Sequence, residues 1–219
     1  MYDAGRMHNG ATWRRCLHPD SGLGPECVEA FILAGGQSQR MGTSKARLVW
    51  KDRALAAFLA AAIAPVVARV WLVTKPGSGL EDLGLPVLYD LVVEPALVHG
   101  IAAVLGAPGP EWRWLLACDM PGVDAAVLGE LWRAADATGA PGSYVQRSDR
   151  ADLEPLPSLW HRDIGPQVRP GWGLGARDWV RHAGLVPWHV SRSGDLRFAN
   201  VNTPADWEEW QWRTRHASE

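Results

Sequence analysis

The sequence predicts an α/β domain in which a parallel sheet carries helices on both faces. Three observations support this. Strand-like apolar runs alternate with helix-like segments over the first two-thirds of the chain, the pattern of strands joined by right-handed crossovers. One run, Val28 to Ala34, stops abruptly at Gly35-Gly36 and gives way to a polar loop with one arginine and one lysine. Three polar clusters, Gly35–Lys45, Asp90 and Asp119, each follow a strand end. Ligands of such sheets bind outside the carboxyl ends of the strands, so all three clusters are expected along one edge.

The elements follow in order. Val28–Ala34 is the first strand. Arg53–Ala64 is alanine-rich and reads as a helix stopped by Pro65. Arg69–Thr74 is a second strand, closed by a loop with Pro76, Gly77 and Gly79. Pro86–Tyr89 is a short third strand that ends at Asp90. His99–Gly106 is a helix, ended by Gly106 and Pro108. Trp112–Cys118 is a fourth strand running into Asp119-Met120-Pro121. Val123–Ala137 has the apolar spacing of a helix. Gly142–Arg147, Pro157–His161, Val186–Val190 and Arg197–Val201 read as strands, and Ala176–Ala183 as a helix. Thr203-Pro204-Ala205-Asp206 is a helix start, with Thr203 as cap and Asp206 three residues on. That last helix runs to about His216.

Bulk properties narrow the function. The 219 residues fit one domain, expected over 28–219, and 47% hydrophobic content allows a full core. Residues 1–27 read as a mobile polar arm without the basic-then-apolar layout of a signal peptide. A net charge of -2 argues against a nucleic-acid surface, and no apolar run is long enough to cross a bilayer. Cys16, Cys27 and Cys118 lack metal-binding spacing, which points to reduced thiols in a cytoplasm. The 13 tryptophans are expected to pack rather than to stack on bases.

Chemistry concentrates at the strand ends. Lys45 and Arg40 are the cations of the glycine loop, and a triphosphate is the anion such a loop cradles. A Cβ at the glycines would hold the backbone away from phosphate oxygens. The spacing of Gly42 and Lys45 is not that of a Walker loop, and the alternative reading is a solvated surface turn. Asp119 closes an apolar strand, where it either holds magnesium with phosphate oxygens or caps the following helix. Asn200 and Asn202 flank Val201, so on a strand they share a face; they either bond ligand or satisfy a turn. Two patterns are discounted. Gly171-Trp172-Gly173-Leu174-Gly175-Ala176 is a dinucleotide-like run that no strand feeds. His161-Arg162-Asp163 echoes a kinase catalytic loop that lacks the rest of that machinery.

Leu33-Ala34-Gly35-Gly36-Gln37-Ser38-Gln39-Arg40-Met41-Gly42 with Lys45 resembles the signature loop of the molybdenum cofactor guanylyltransferases and their nucleotidyltransferase relatives. Cys118-Asp119-Met120-Pro121 resembles the family's metal-binding motif, and Asn200-Val201-Asn202-Thr203-Pro204-Ala205-Asp206 its C-terminal motif. The resemblance implies a Rossmann-like three-layer α/β/α nucleotidyltransferase fold with a mostly parallel mixed sheet. It implies transfer of GMP from GTP to the phosphate of molybdopterin, with magnesium as cofactor and pyrophosphate as product. Contact with cofactor-biosynthesis proteins or apo-molybdoenzymes belongs to the same implication. Leu33, Ala34, Gly35 and Gly36 would contact the nucleotide, and Arg40 and Lys45 its phosphates. Asp90 would contact GTP, Asp119 would hold magnesium, and Asn200 and Asn202 would lie near the metal and the acceptor.

The chain departs from the family pattern in three places. Ser44 stands where aspartate often precedes the lysine, and Thr74 where guanylyl members often carry a nucleotide-contacting asparagine. Pro95-Ala96-Leu97-Val98-His99-Gly100-Ile101 replaces the usual Gly-Pro-Leu-x-Gly-Ile. These changes spare the phosphate and metal residues and bear on base and acceptor preference. A sister enzyme using CTP or another phosphorylated acceptor, or a non-catalytic nucleotide-binding homologue, shares every remaining feature.

Overall fold

The computed structural model describes residues 17–18, 22–35, 44–92, 94, 96–149, 153–167, 175–190 and 195–217. Its centre is a seven-stranded sheet: β1 (Val28–Leu33), β2 (Arg69–Thr74), β3 (Val87–Tyr89), β4 (Trp112–Ala117), β5 (Gly142–Arg147), β6 (Ser158–His161) and β7 (Val186–Val190). The strand order is β7-β5-β6-β4-β1-β2-β3. β1 pairs in parallel with β2 and β4, β2 with β3, and β5 with β7. β6 runs antiparallel to both its neighbours, so the sheet is mixed but mostly parallel. Among the described residues five α-helices accompany it: α1 (Leu55–Ile63), α2 (Leu97–Gly106), α3 (Ala125–Thr138), α4 (Ala176–His182) and α5 (Pro204–His216).

Strand alternation divides the core in two. Ala30 and Ile32 of β1 and Trp112, Trp114 and Leu116 of β4 face one side, where α1 and α3 cover them. Phe31 and Leu115 face the other side, under α2 and α4. Successive side chains of a strand point to opposite faces, so a central strand buried on both sides has no polar face. Such a layer on each side is what a doubly covered sheet requires. α1 and α2 alternate across the sheet as right-handed crossovers between parallel strands demand. A third, smaller cluster of Trp50, Val201 and Trp210 fastens α5 to the body.

Tryptophan serves as packing material. Trp112, Trp114 and Trp160 are fully buried, and Trp112 meets Trp132 edge-on at 5.0 Å between ring centroids. A buried ion pair at the sheet's far end joins Arg113, with no solvent exposure, to Glu29 at 3.9 Å. Its guanidinium also donates to the carbonyls of Pro110 (2.6 Å) and Ala107 (2.9 Å), which compensates a buried charge. Burial lowers its pKa below the usual arginine value.

Three expected boundaries shift for local reasons. Arg53–Ala54 pairs antiparallel with Val49–Trp50 around Lys51 and Asp52, both left-handed (φ 48° and 62°), so α1 starts at Leu55. The helix after Asp119 begins at Ala125, because the Asp124 carboxylate accepts from the N–H groups of Ala126 and Val127. The expected strand Arg197–Val201 is instead a 3-10 turn, Leu196–Phe198, followed by irregular chain. There the Asp195 carboxylate accepts from the Arg197 N–H, which turns the backbone away from extension. Before β1, Leu17–His18 pairs with Gly22–Leu23, Leu23 packs on the core, and Cys27 is buried. Among the described residues no helix is long and apolar enough to cross a membrane.

Candidate active site

The carboxyl ends of four adjacent parallel strands open onto one cavity of about 480 Å³. β1 contributes Leu33 and, just beyond it, Gly35; β2 contributes Val73, Thr74 and Lys75. Asp90 follows β3, and Ala117, Cys118 and Asp119 come from β4 and its end. Lys45 closes the same side, with Ala96, Leu97 and Gly100 from the start of α2 opposite. The floor is apolar and the mouth carries charge, the arrangement of a small-molecule site.

Lys45 is the hub of the mouth. It opens a short 3-10 turn, Lys45–Arg47, whose Ala46 is fully buried, so the base of the side chain is anchored. Its Nζ donates to Asp119 Oδ2 at 3.1 Å and to Asn202 Oδ1 at 2.6 Å. Asp119 does not cap α3, since Asp124 does that. The Asp119 backbone carbonyl accepts from the Val201 N–H at 2.8 Å, which ties the end of β4 to the segment carrying both asparagines. Gly122 lets that segment come close: a Cβ there would overlap the Leu196 carbonyl.

Asn202 is positioned by the start of α5. Thr203 and Asp206 form a capping box, and Asp206 Oδ2 accepts from the N–H groups of Asn202 (2.9 Å) and Thr203 (2.8 Å). The bond from the Asn202 N–H is the main reason the Asp206 carboxyl titrates below its ordinary value. Trp210, buried against Trp50 at 5.1 Å, holds the helix down.

The second charged pair lies across the cavity. Asp90 Oδ2 accepts from Lys75 Nζ at 2.7 Å, and Asp90 Oδ1 from the Val92 N–H at 3.0 Å. Lys75 also donates to the carbonyls of Val92 and Glu94. Thr74 is buried, and its hydroxyl has no partner among the described residues. Burial, reinforced by the Asp119 carboxylate, pushes the Cys118 thiol up to about 12, so it is no nucleophile at neutral pH.

The sequence-selected residues thus largely converge. Leu33, Gly35, Lys45, Thr74, Asp90 and Asp119 line one cavity, and Asn202 reaches it through Lys45. Ala34 is buried behind the rim, and Asn200 precedes Asn202 on the same irregular segment without lining the cavity. Gly36 and Arg40 lie outside the described residues. Lys75 escaped the sequence reading; the signal available was a lysine directly after a strand whose end faces the same edge. The His161-Arg162-Asp163 triplet sits at the opposite end of the sheet, because antiparallel β6 brings His161 beside Trp112, where β4 begins.

The residues at the mouth fit a magnesium ion. Such an ion takes one or two carboxylates, phosphate oxygens and water. Asp119 Oδ1 carries no partner among the described residues, and the Lys45 ammonium already lies between Asp119 Oδ2 and Asn202 Oδ1 as a cation would. No group of three or more His, Cys, Asp or Glu is placed to hold a metal among the described residues, so phosphate oxygens would complete the shell. Among the described residues, an added Cβ at Gly35 would meet nothing within 4 Å.

The chain is similar to known proteins in sequence and in fold. The model of the MobA-like NTP transferase domain matches residues 30–187. The molybdenum cofactor guanylyltransferase of Pseudomonas paraeruginosa PA7 is 32% identical over 195 residues, covering 85% of this chain and 94% of its own. That of Yersinia pseudotuberculosis serotype O:1b is 28% identical over 196 residues, covering 86% and 97%. Among solved structures, molybdopterin-guanine dinucleotide biosynthesis protein A from Archaeoglobus fulgidus superposes with a TM-score of 0.69 at 20% identity, covering 86% of this chain and 99% of that one.

Proposed function

The chain belongs to the MobA-like NTP transferase family, and on that footing we propose that it transfers GMP from GTP to the phosphate of molybdopterin and releases pyrophosphate. One observation carries the reading: Lys45, Asp119 and Asn202, from three distant parts of the chain, meet at the mouth of a cavity whose far wall holds Thr74 and Asp90.

Each residue has a task in this reaction. An acceptor phosphate oxygen attacks the α-phosphorus of GTP, the bond to the β-phosphate oxygen breaks, and the electron pair leaves with pyrophosphate. No side-chain nucleophile takes part. Lys45 turns from Asp119 to the triphosphate, where its charge offsets that developing on the leaving group. Gly35, with Gly36 and Arg40 beyond it, lets backbone donors and a guanidinium approach the phosphates. Leu33 and Ala34 shape the nucleotide side, and Thr74 and Asp90 take the base. Asp119, with Asn202 beside it, would hold magnesium, which supplies charge neutralisation between nucleotide and acceptor oxygens. Asn200 belongs to the acceptor side. The apolar floor of Leu33, Val73 and Ala117 keeps bulk water from the reacting phosphorus. Transient contact with cofactor-biosynthesis proteins or apo-molybdoenzymes rests on the same family footing.

The test is calorimetric titration of GTP, CTP, ATP and UTP with magnesium, followed by pyrophosphate release with molybdopterin. Preference for GTP with release on adding molybdopterin is the expected result. Preference for CTP would make the protein a sister cytidylyltransferase. Nucleotide binding without release on any phosphorylated acceptor would make it a non-catalytic homologue.

A further inference from the structure

We propose that Lys75 is the positioning residue that makes the base subsite selective for guanine, acting through Asp90; the inference rests on the nucleotide reading of the cavity. It starts from the state of the Asp90 carboxylate. Asp90 is buried, and each of its oxygens already accepts one internal bond: Oδ2 from Lys75 Nζ at 2.7 Å, Oδ1 from the Val92 N–H at 3.0 Å. A carboxylate oxygen has room for about two donors. One acceptor site therefore remains on each oxygen, and the residue lines the cavity. Two adjacent acceptors match two adjacent donors, and among the common bases guanine alone presents such a pair, N1–H with its 2-amino group.

Lys75 fixes this carboxylate. Its ammonium joins Asp90 Oδ2 to the carbonyls of Val92 and Glu94, so one cation sets the carboxylate orientation and the path of the chain that follows it. The backbone adds a second tie, since the Asp90 N–H donates to the Thr74 carbonyl at 2.9 Å. Without Lys75 the carboxylate is a buried charge lacking its counter-ion, held by the Val92 N–H alone. Beside it the buried Thr74 hydroxyl, which lines the cavity, has no partner among the described residues. A buried hydroxyl left without a bond is costly, and a ligand polar atom would satisfy it. Two independent signs, a clamped carboxylate and an orphan hydroxyl, thus point to the same wall.

ITP, which differs from GTP by loss of the 2-amino group, isolates the claim. Affinities for GTP, ITP and inorganic tripolyphosphate are measured by calorimetry for the wild-type protein, Lys75→Met and Lys75→Arg, with thermal unfolding in parallel. A site built to bond a substrate N–H rejects the analogue lacking it, so the wild type is expected to prefer GTP over ITP by roughly tenfold or more. Lys75→Met is expected to bring that ratio to about one while tripolyphosphate affinity stays within about twofold, and Lys75→Arg to restore part of the preference. The idea fails if the wild type binds GTP and ITP alike, or if Lys75→Met keeps the preference. A uniform weakening of all three ligands, with or without a lower melting temperature, also overturns it, because Lys75 would then support the fold alone. A wild-type protein that binds no triphosphate would sink the nucleotide reading itself, and this inference with it.

Discussion

Lys45 donates to Asn202 across 157 positions of sequence, at 2.6 Å, and with the same ammonium holds Asp119 at 3.1 Å. A cation therefore already sits between two oxygens suited to a divalent metal. On the proposed reading, a triphosphate would draw Lys45 away and free Asp119, which would link metal and nucleotide binding.

Manganese titrated without nucleotide, followed by electron paramagnetic resonance, is expected to bind the wild type weakly. Lys45→Met removes the competing charge and is expected to tighten manganese alone by about tenfold, a change of about 1.4 kcal/mol. Equal affinity in the two proteins would contradict the linkage.

Asp119→Ala is expected to lower pyrophosphate release at least about 10²-fold, as loss of a preorganised electrostatic group does elsewhere. GTP affinity, measured separately by calorimetry, is expected to change far less. Near wild-type turnover in this variant would defeat the assignment.

Asp206→Ala removes the acceptor that fixes the Asn202 and Thr203 N–H groups. Loss of such a cap costs about 1 kcal/mol, readable as a shift of the urea midpoint. The variant is also expected to raise the KM for the acceptor, because Asn202 loses its backbone tie. An unchanged midpoint and KM would show that Trp210 alone seats the helix.

Gly122→Ala forces a methyl group into the Leu196 carbonyl. Overpacking of this kind costs about 1–3 kcal/mol, and here it pushes the asparagine segment off the end of β4. Thermal unfolding reads the cost, and nucleotide titration reads the displacement. A variant with normal stability would mean that residues 196–198 retract freely.

His161 is almost fully buried, edge-on to Trp112 at 5.0 Å. Burial drives its pKa down to about 4, with Asp163 opposing and Arg162 and Arg113 assisting. The unfolded chain takes up a proton near pH 6.5 and the folded chain only near 4. Stability is thus fully present above pH 6.5 and falls by about 3 kcal/mol as pH drops to 4. Denaturant midpoints across that range check the slope, and His161→Gln is expected to flatten it. A slope unchanged by the substitution would assign the acid sensitivity to other groups.

Much of this architecture is legible in the sequence because burial on both faces of a central strand leaves a plain signature. Arg69–Thr74 falls where its apolar run places it, and Gly142–Arg147 and the edge strand Val186–Val190 also keep their expected bounds. Strand direction is less legible: nothing within Ser158–His161 records that it runs against its neighbours, since pairing is a property of two segments. The site was visible wherever a polar residue ended an apolar strand, as at Asp90 and Asp119. No motif marks Lys75, because a lysine after a strand is ordinarily a solvated charge. Asp90, 15 residues away, makes it something else. The alternation expected of Arg197–Val201 is removed by the Asp195-capped turn, so Asn200 and Asn202 lie on irregular chain rather than on one face of a strand.

The order in which these groups occur along the chain also sets when they become available during synthesis. Lys45 and Asp119 precede residues 200–206 in the order of synthesis, as do the paired strands they follow. On the proposed reading, a chain released before residue 200 would keep Lys45 and Asp119 but lack Asn202, which stands just before the helix that docks against Trp50. Such truncated chains would then be expected to retain phosphate-binding groups while losing transfer.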